Sequence, residues 1–262
     1  MELRSNNFSS TKYHEVFDYK LTKKELVKWQ YKTLKEATNG VKNKSRFQRE
    51  KYSKHKLIIA KRVAKLLSKI PTVKFVGITG ALAMNNAGKN SDIDLMIITK
   101  SNTLWLTRLC VYCILITTSY ILRKPRIKNE RDALCLNMWL DENDLIWDKA
   151  DRNLYTAHEI AQIVPLVNKN KTHEKFLWQN KWVLDFWPNA VEISSKQYAV
   201  SSMRQGILHS TFYILQTTFE HIAYFIQYQY MKSKISREVV TPTRAIFHPN
   251  DWGKMVIDKL SS

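Results

Sequence analysis

Val76-Gly-Ile-Thr-Gly80-Ala-Leu-Ala-Met-Asn-Asn-Ala-Gly-Lys-Asn90-Ser-Asp92-Ile-Asp94-Leu-Met-Ile-Ile-Thr99 is the stretch whose reading decides the fold. It begins inside a short apolar, β-branched run, Val73 to Ile78, and ends on a second one, Ile93 to Thr99. Both predict strands. Gly80, directly after the first strand, permits close approach of the backbone to phosphates, and a helix starting at Ala81 would offer its free N–H donors to them. Asp92 and Asp94 are two apart where the second strand opens, so both carboxylates leave one face, roughly 7 Å apart at Cβ. Two convergent carboxylates suit a pair of divalent ions about 4 Å apart, which clamp the attacking and leaving oxygens in phosphoryl transfer. Asp-x-Asp occurs in many surface loops. Here it opens a strongly apolar strand, a costly place for two acids without a cation.

Working outward, Leu104 to Leu122 is almost wholly apolar, with Arg108 inside it. Its length approaches a bilayer span. The strands on either side belong to one sheet, however, which favours a buried crossover helix over a membrane span or surface anchor. Leu134 to Leu140 is a third strand, with Leu134, Leu136, Met138 and Leu140 alternating against Cys135, Asn137 and Trp139. Strand, helix, strand at these lengths predicts an α/β core with a small mixed sheet and crossover connections. That core occupies residues 71–150, between a basic helical region, 1–70, and a helical C-terminal domain, 151–262.

In the first region, Thr22 and Glu25 form a capping box opening a helix toward Ala37, and Asn39-Gly40 punctuates the chain. A second helix from about Arg46 to Ile70 puts Ile58, Ile59, Val63, Leu66 and Leu67 on one stripe. In the C-terminal region Thr156 and Glu159 read as another box leading Ile160, Ile163 and Val164, and Thr172 caps a helix reaching Trp187. A long helix from Met203 to Met231 carries Leu208, Phe212, Leu215, Phe219, Ile222 and Ile226 as a narrow apolar seam, expected to pack on the core or, second, to dimerise.

The chain has 262 residues, 44% of them hydrophobic, enough for a packed core. Its 42 Lys and Arg against 23 Asp and Glu give a net charge of +19, which predicts attraction to polyanions. Between Lys42 and Lys69 there are eleven basic residues and one acid, Glu50. Lys51, Lys54, Lys56 and Lys61 on that helix are the candidate nucleic-acid contacts, against the alternative of a solubilising face. A second knot comprises Arg123, Lys124, Arg126, Lys128 and Arg131. Three cysteines, Cys110, Cys113 and Cys135, lie in apolar stretches and read as buried thiols of a reducing cytosol. No signal peptide is visible at the N-terminus, and a cytoplasmic protein without stable membrane insertion is expected.

The stretch from Gly80 to Leu95 resembles the nucleotidyltransferase superfamily that includes DNA polymerase beta and the minimal nucleotidyltransferases. That family places strand, Gly-Ser, short helix, about ten residues, then Ser-Asp-x-Asp-Leu on the next strand. Gly80-Ala81 and Ser91-Asp92-Ile93-Asp94-Leu95 match it, and the likeness covers about residues 71–141. The whole chain looks like a group of bacterial nucleotidyltransferase-domain proteins with a winged-helix-like N-terminal part.

The resemblance implies a Mg²⁺- or Mn²⁺-dependent enzyme that moves a nucleoside monophosphate from an NTP to an acceptor hydroxyl of a nucleic acid, a protein or a small molecule, and the basic charge of the chain favours a polyanionic acceptor such as nucleic acid. Asp92 and Asp94 would bind the metal, and Thr79, Gly80, Ala81 and Ser91 the nucleotide. The family's Ser is Ala81 here, which removes a side-chain donor. Its third carboxylate falls at Asn137, whose amide cannot take a proton. Asp141 stands about 13 Å further along the strand and could substitute only if the strand ends early and bends back. These departures also admit a catalytically weak nucleotide- or nucleic-acid-binding protein.

Other residues carry less. His158, in the first turn of a helix, reads as a surface residue that could reach a phosphate. Trp139, Trp147, Trp178, Trp182 and Trp187 read as core rather than a base-stacking platform.

Overall fold

The computed structural model describes residues 9–31, 44–123, 131–193, 210–247 and 251–261. The readings made for Asn39-Gly40, Lys42, Lys124, Arg126 and Lys128, and for the side chains of Leu208 and Phe212, lie outside these residues.

The expected α/β architecture is present. β1 (Val73–Ile78), β2 (Ile93–Thr99) and β3 (Leu134–Asp141) form where the β-branched and apolar runs predict them. β1 and β2 are antiparallel, β2 and β3 parallel. The parallel pair needs a crossover, and α5 (Leu104–Ile116) supplies it. This helix buries Leu104, Trp105, Val111 and Leu115 against the sheet. Among the described residues no helix is long and apolar enough to cross a membrane.

The sheet has six strands in the order β4-β1-β2-β3-β6-β5, of which β4, β5 and β6 were not legible as strands. β4 (Val164–Asn168) pairs with β1, and the hairpin β5 (Val239–Thr241) and β6 (Arg244–Ile246) adds to β3. Residues after 151 therefore build half of the sheet as well as helices. Val164, expected in a helix, starts a strand instead, because α6 (Leu154–Ala161) ends three residues earlier.

Two apolar layers cover the sheet. On one side Phe75, Met96, Ile98, Met138 and Leu140 meet α1 (Ser10–Glu15), α2 (Lys23–Lys28), α6 and Trp187. On the other, Val76, Ile78, Leu95, Ile97 and Trp139 meet α3 (Lys44–Leu67), α5 and α8 (Ser210–Met231). The strict alternation expected along β3 does not hold. Asp94 pairs with Cys135 but Met96 with Met138, so β3 carries one extra residue between them. This bulge sends Leu134 and Leu136 to one layer and Met138 and Leu140 to the other.

The helical flanks depart from the sequence reading in informative ways. The Thr22–Glu25 capping box forms as expected, and Arg46 of α3 pairs with Glu25 at 2.7 Å. α3 buries Lys56, Ala60, Val63, Ala64 and Leu67, while Ile58 is 52% exposed. Asn153, not Thr156, caps α6, with Thr156 as its reciprocal partner. Lys171 rather than Thr172 precedes α7 (Thr172–Gln179), which ends well short of Trp187. The seam residues Leu215, Phe219, Ile222 and Ile226 face outward on α8, and Glu220, Ala223 and Met231 face the core instead. Glu220 wins that side because its carboxylate accepts from the Trp105 and Leu106 amides, two orphan donors at the start of α5. Cys110 and Cys113 are exposed, contrary to the buried thiols expected. Trp139, Trp147, Trp182 and Trp187 are buried as read.

Candidate functional site

The acid pair sits where β2 begins, under the turn from β1 into the single-turn helix α4 (Gly80–Ala83). The Thr79 amide donates to the Asp94 carbonyl at 3.1 Å, which ties that turn to β2. Gly80 has φ +60, and a Cβ there would stand 2.7 Å from Asp94 Oδ2. Only glycine fits a left-handed backbone pressed so closely on a carboxylate. The glycine thus brings the turn's backbone to the acids, where the sequence reading had assigned it close approach to phosphates.

A buried lysine fixes the other side. Lys56, 1% exposed, donates to the Ser91 carbonyl at 2.7 Å and pairs with Asp132 at 2.6 Å. It holds the loop immediately before Asp92 and is not available to nucleic acid. That corrects its sequence assignment; Lys51, Lys54 and Lys61 on the same helix are exposed. Ser91 is partly exposed and its hydroxyl donates to the Gly88 carbonyl at 3.0 Å. Ala81 is exposed and Thr79 is buried.

Oxygen atoms of Asp92 and Asp94 and the sulfur of Cys135 lie within 4.8 Å of one another. Asn137 joins them: its Nδ2 donates to Asp94 Oδ1 at 2.8 Å, while its own Oδ1 is buried without a partner. Cys135 pairs with Asp94 in the register, and Asn137, two residues on, shares its side of the strand. Burial and then the Asp92 charge push the Asp94 carboxyl up to about 7. Burial and then the Asp94 charge push the Cys135 thiol up. Arg123 spans the mouth, 2.7 Å from Asp92 Oδ2 and 3.4 Å from the Cys135 sulfur.

Asp141, the alternative third carboxylate, is elsewhere. It pairs with Thr99 at the far end of β2 and accepts from the Asn102 amide at 2.7 Å and the Asn143 amide at 2.9 Å. It is a loop anchor. The extra residue in β3 also puts it on Trp139's side of the sheet, away from Asp94.

The donor set suits a hard divalent ion. Two carboxylates converge, an amide oxygen beside them lacks a partner, and Arg123 supplies a single positive charge against the two acids. Sequence reasoning missed Cys135 as a member of this site and misplaced Glu159 on its helix. Glu159, read as half of a capping box, lies mid-helix on α6, where burial and then the Asp94 charge push it up to about 8. The misplaced helix start hid it. His158 beside it is not on the surface: it is 4% exposed, with its Nε2 3.1 Å from the His14 Nε2.

No protein-family model matches the chain, and no curated protein sequence matches it.

Proposed function

We propose that this protein is a divalent-cation-dependent nucleotidyltransferase that moves an NMP from an NTP to an acceptor hydroxyl. The observation that carries this reading is the fit of Gly80 against Asp94: a strand, a left-handed glycine and a turn of helix brought within contact of two converging carboxylates. Asp92 and Asp94 would hold Mg²⁺ or Mn²⁺, with the Asn137 oxygen as a neutral third donor. The ion would supply charge neutralisation for the triphosphate. The chain's own part is to orient. Gly80 lets the backbone approach the site, Lys56 holds the Ser91–Asp92 loop, and the Asn137 amide fixes the Asp94 carboxylate. The resemblance of the Gly80–Leu95 stretch to the nucleotidyltransferase superfamily supports the same assignment.

A second reading, a nucleotide-binding module with little turnover, is favoured by one contact. Arg123 already neutralises Asp92, and Asn137 stands where an acid would complete the site.

Calorimetry with Mn²⁺ and ATP tests the primary reading. Wild type is expected to bind the pair, and Asp92→Asn with Asp94→Asn to lose at least tenfold in affinity while melting no lower. Equal binding by the double variant would end the assignment.

A further inference from the structure

α8 is anchored by one face and open on the other. Toward the core, the Glu220 carboxylate accepts from the Trp105 amide at 2.6 Å and the Leu106 amide at 2.9 Å, and Gln227 Nε2 donates to the Trp105 carbonyl at 2.8 Å. Glu220 and Gln227 are two helical turns apart on one side, so these bonds fix the rotation of α8 about its own axis. The opposite face is thereby held outward. It carries Leu215, Phe219, Ile222 and Ile226, which step by four, three and four, with Ile214, Phe225 and Tyr230 beside them. All seven are between 47% and 72% exposed.

That face is large and uncharged. At these exposures the seven side chains leave on the order of 800 Å² open to water, more than the largest apolar patch of an ordinary monomer and about what one partner gives to a standard interface. From Ile214 to Tyr230 the only Lys, Arg, Asp or Glu is Glu220, which is buried. A face that docks on anionic lipid is bordered by lysines and arginines. The exposed polar residues here are Thr218, His221 and Gln229, and the exposed Lys232 and Lys234 come only after the helix ends. Arg108 of α5 is engaged, donating to Gln227 Oε1 at 2.5 Å. Steps of four and three instead make the seam of paired helices, in which side chains of one helix insert between those of the other.

We propose that α8 is the interface of a homodimer, docking on α8 of a second copy with the two helices antiparallel. A two-fold axis makes such an interface self-complementary. With the axis between Phe219 and Ile222, each Phe219 meets the partner's Ile222 and each Leu215 the partner's Ile226, so all four seam residues are paired. The antiparallel sense keeps the lysines after the two helices about 35 Å apart and lets the opposed helix dipoles attract. A parallel pair would bring those four ammonium groups together. The dimer does not depend on the nucleotidyl-transfer reading, since its residues lie on α8 alone.

Sedimentation equilibrium of the full chain across a dilution series, together with disulfide trapping, tests the dimer. Wild type is expected at twice the mass of one chain. Phe219→Glu with Ile222→Glu should raise the dissociation constant at least about 100-fold, with an unchanged circular dichroism spectrum, because both side chains are exposed in the single chain. For the trapping, Cys110→Ser and Cys113→Ser remove the two exposed thiols. On that background Leu215→Cys with Ile226→Cys should give a covalent dimer on air oxidation, and either substitution alone should not. The two positions are about 16 Å apart along one helix, too far for a bridge within a chain. Covalent dimers from each single substitution would show parallel helices and overturn the arrangement. No covalent dimer from the pair, or a sedimenting dimer that survives Phe219→Glu with Ile222→Glu, would place the interface elsewhere and overturn the proposal. A monomeric wild type overturns it as well, and flotation of that monomer with phosphatidylglycerol vesicles would assign the face to a membrane.

Discussion

The Asn137 side chain gives its amide to Asp94 Oδ1 across 2.8 Å and keeps its own oxygen buried without a partner. A neutral residue therefore occupies the position facing the acid pair, and it holds an unused acceptor beside them.

Asn137→Asp converts this contact into a third negative charge. Without a cation, the lost hydrogen bond and the added repulsion should cost about 2 kcal/mol, read as a lower urea midpoint. With Mn²⁺ the sign reverses, because ligand charge count raises affinity, by about tenfold here. A midpoint unchanged in both conditions would show that Asn137 does not face the ion.

Lys56 and its helix neighbours should separate cleanly. Lys56→Gln removes one partner of a buried ion pair and frees the Ser91 loop, which should cost about 3 kcal/mol. Lys51→Gln, Lys54→Gln and Lys61→Gln together should leave stability within about 0.5 kcal/mol. The triple variant should instead elute from heparin at lower salt, since fewer counterions are released. Chemical denaturation and heparin chromatography read the two effects, and a destabilised triple variant would contradict the exposed positions.

Asp141→Ala tests the loop-anchor role. The Asn102 and Asn143 amides would lose their acceptor, at about 2 to 4 kcal/mol in total. Mn²⁺ affinity should stay unchanged. A large loss of Mn²⁺ binding with intact stability would restore Asp141 as a ligand.

The histidine pair predicts acid sensitivity. Burial first, then His14 and Lys28, hold the His158 imidazole well below its ordinary value. The unfolded chain gains a proton below about pH 6.5 that the folded chain refuses, so stability should fall as pH drops through that value. Glu25 adds a second, more acidic loss. Burial opposes its charge, but hydrogen bonds from Arg46, Tyr19 and Thr22 bring it down to about 2. That contribution is present above its unfolded value near 4.5 and fades as pH falls toward 2. Urea midpoints between pH 7 and 5 should decline for wild type and decline less for His158→Phe, whose ring fits among Tyr13, Trp29 and Trp187. Parallel declines would remove His158 as the cause.

Local chemistry made the centre of this protein legible in its sequence. The β-branched run before Gly80, the acids opening an apolar strand and the apolar crossover were each visible within a few residues, because each depends on near neighbours. They yielded three strands, the crossover helix and the Asp92–Asp94 pair. Contacts between distant segments decided the rest. Leu215, Phe219, Ile222 and Ile226 have the spacing of a core face, yet Glu220 turns that face outward by satisfying the amides at the start of α5. Lys56 reads as a surface charge until Asp132, 76 residues away, gives it a partner. β4 and the β5–β6 hairpin are too short to announce themselves and exist through pairing with β1 and β3. One extra residue in β3 turns Met138 to the Asp94 side and takes Asp141 away from it. Side-chain alternation is a local rule, and a bulge breaks it for reasons that lie on the neighbouring strand.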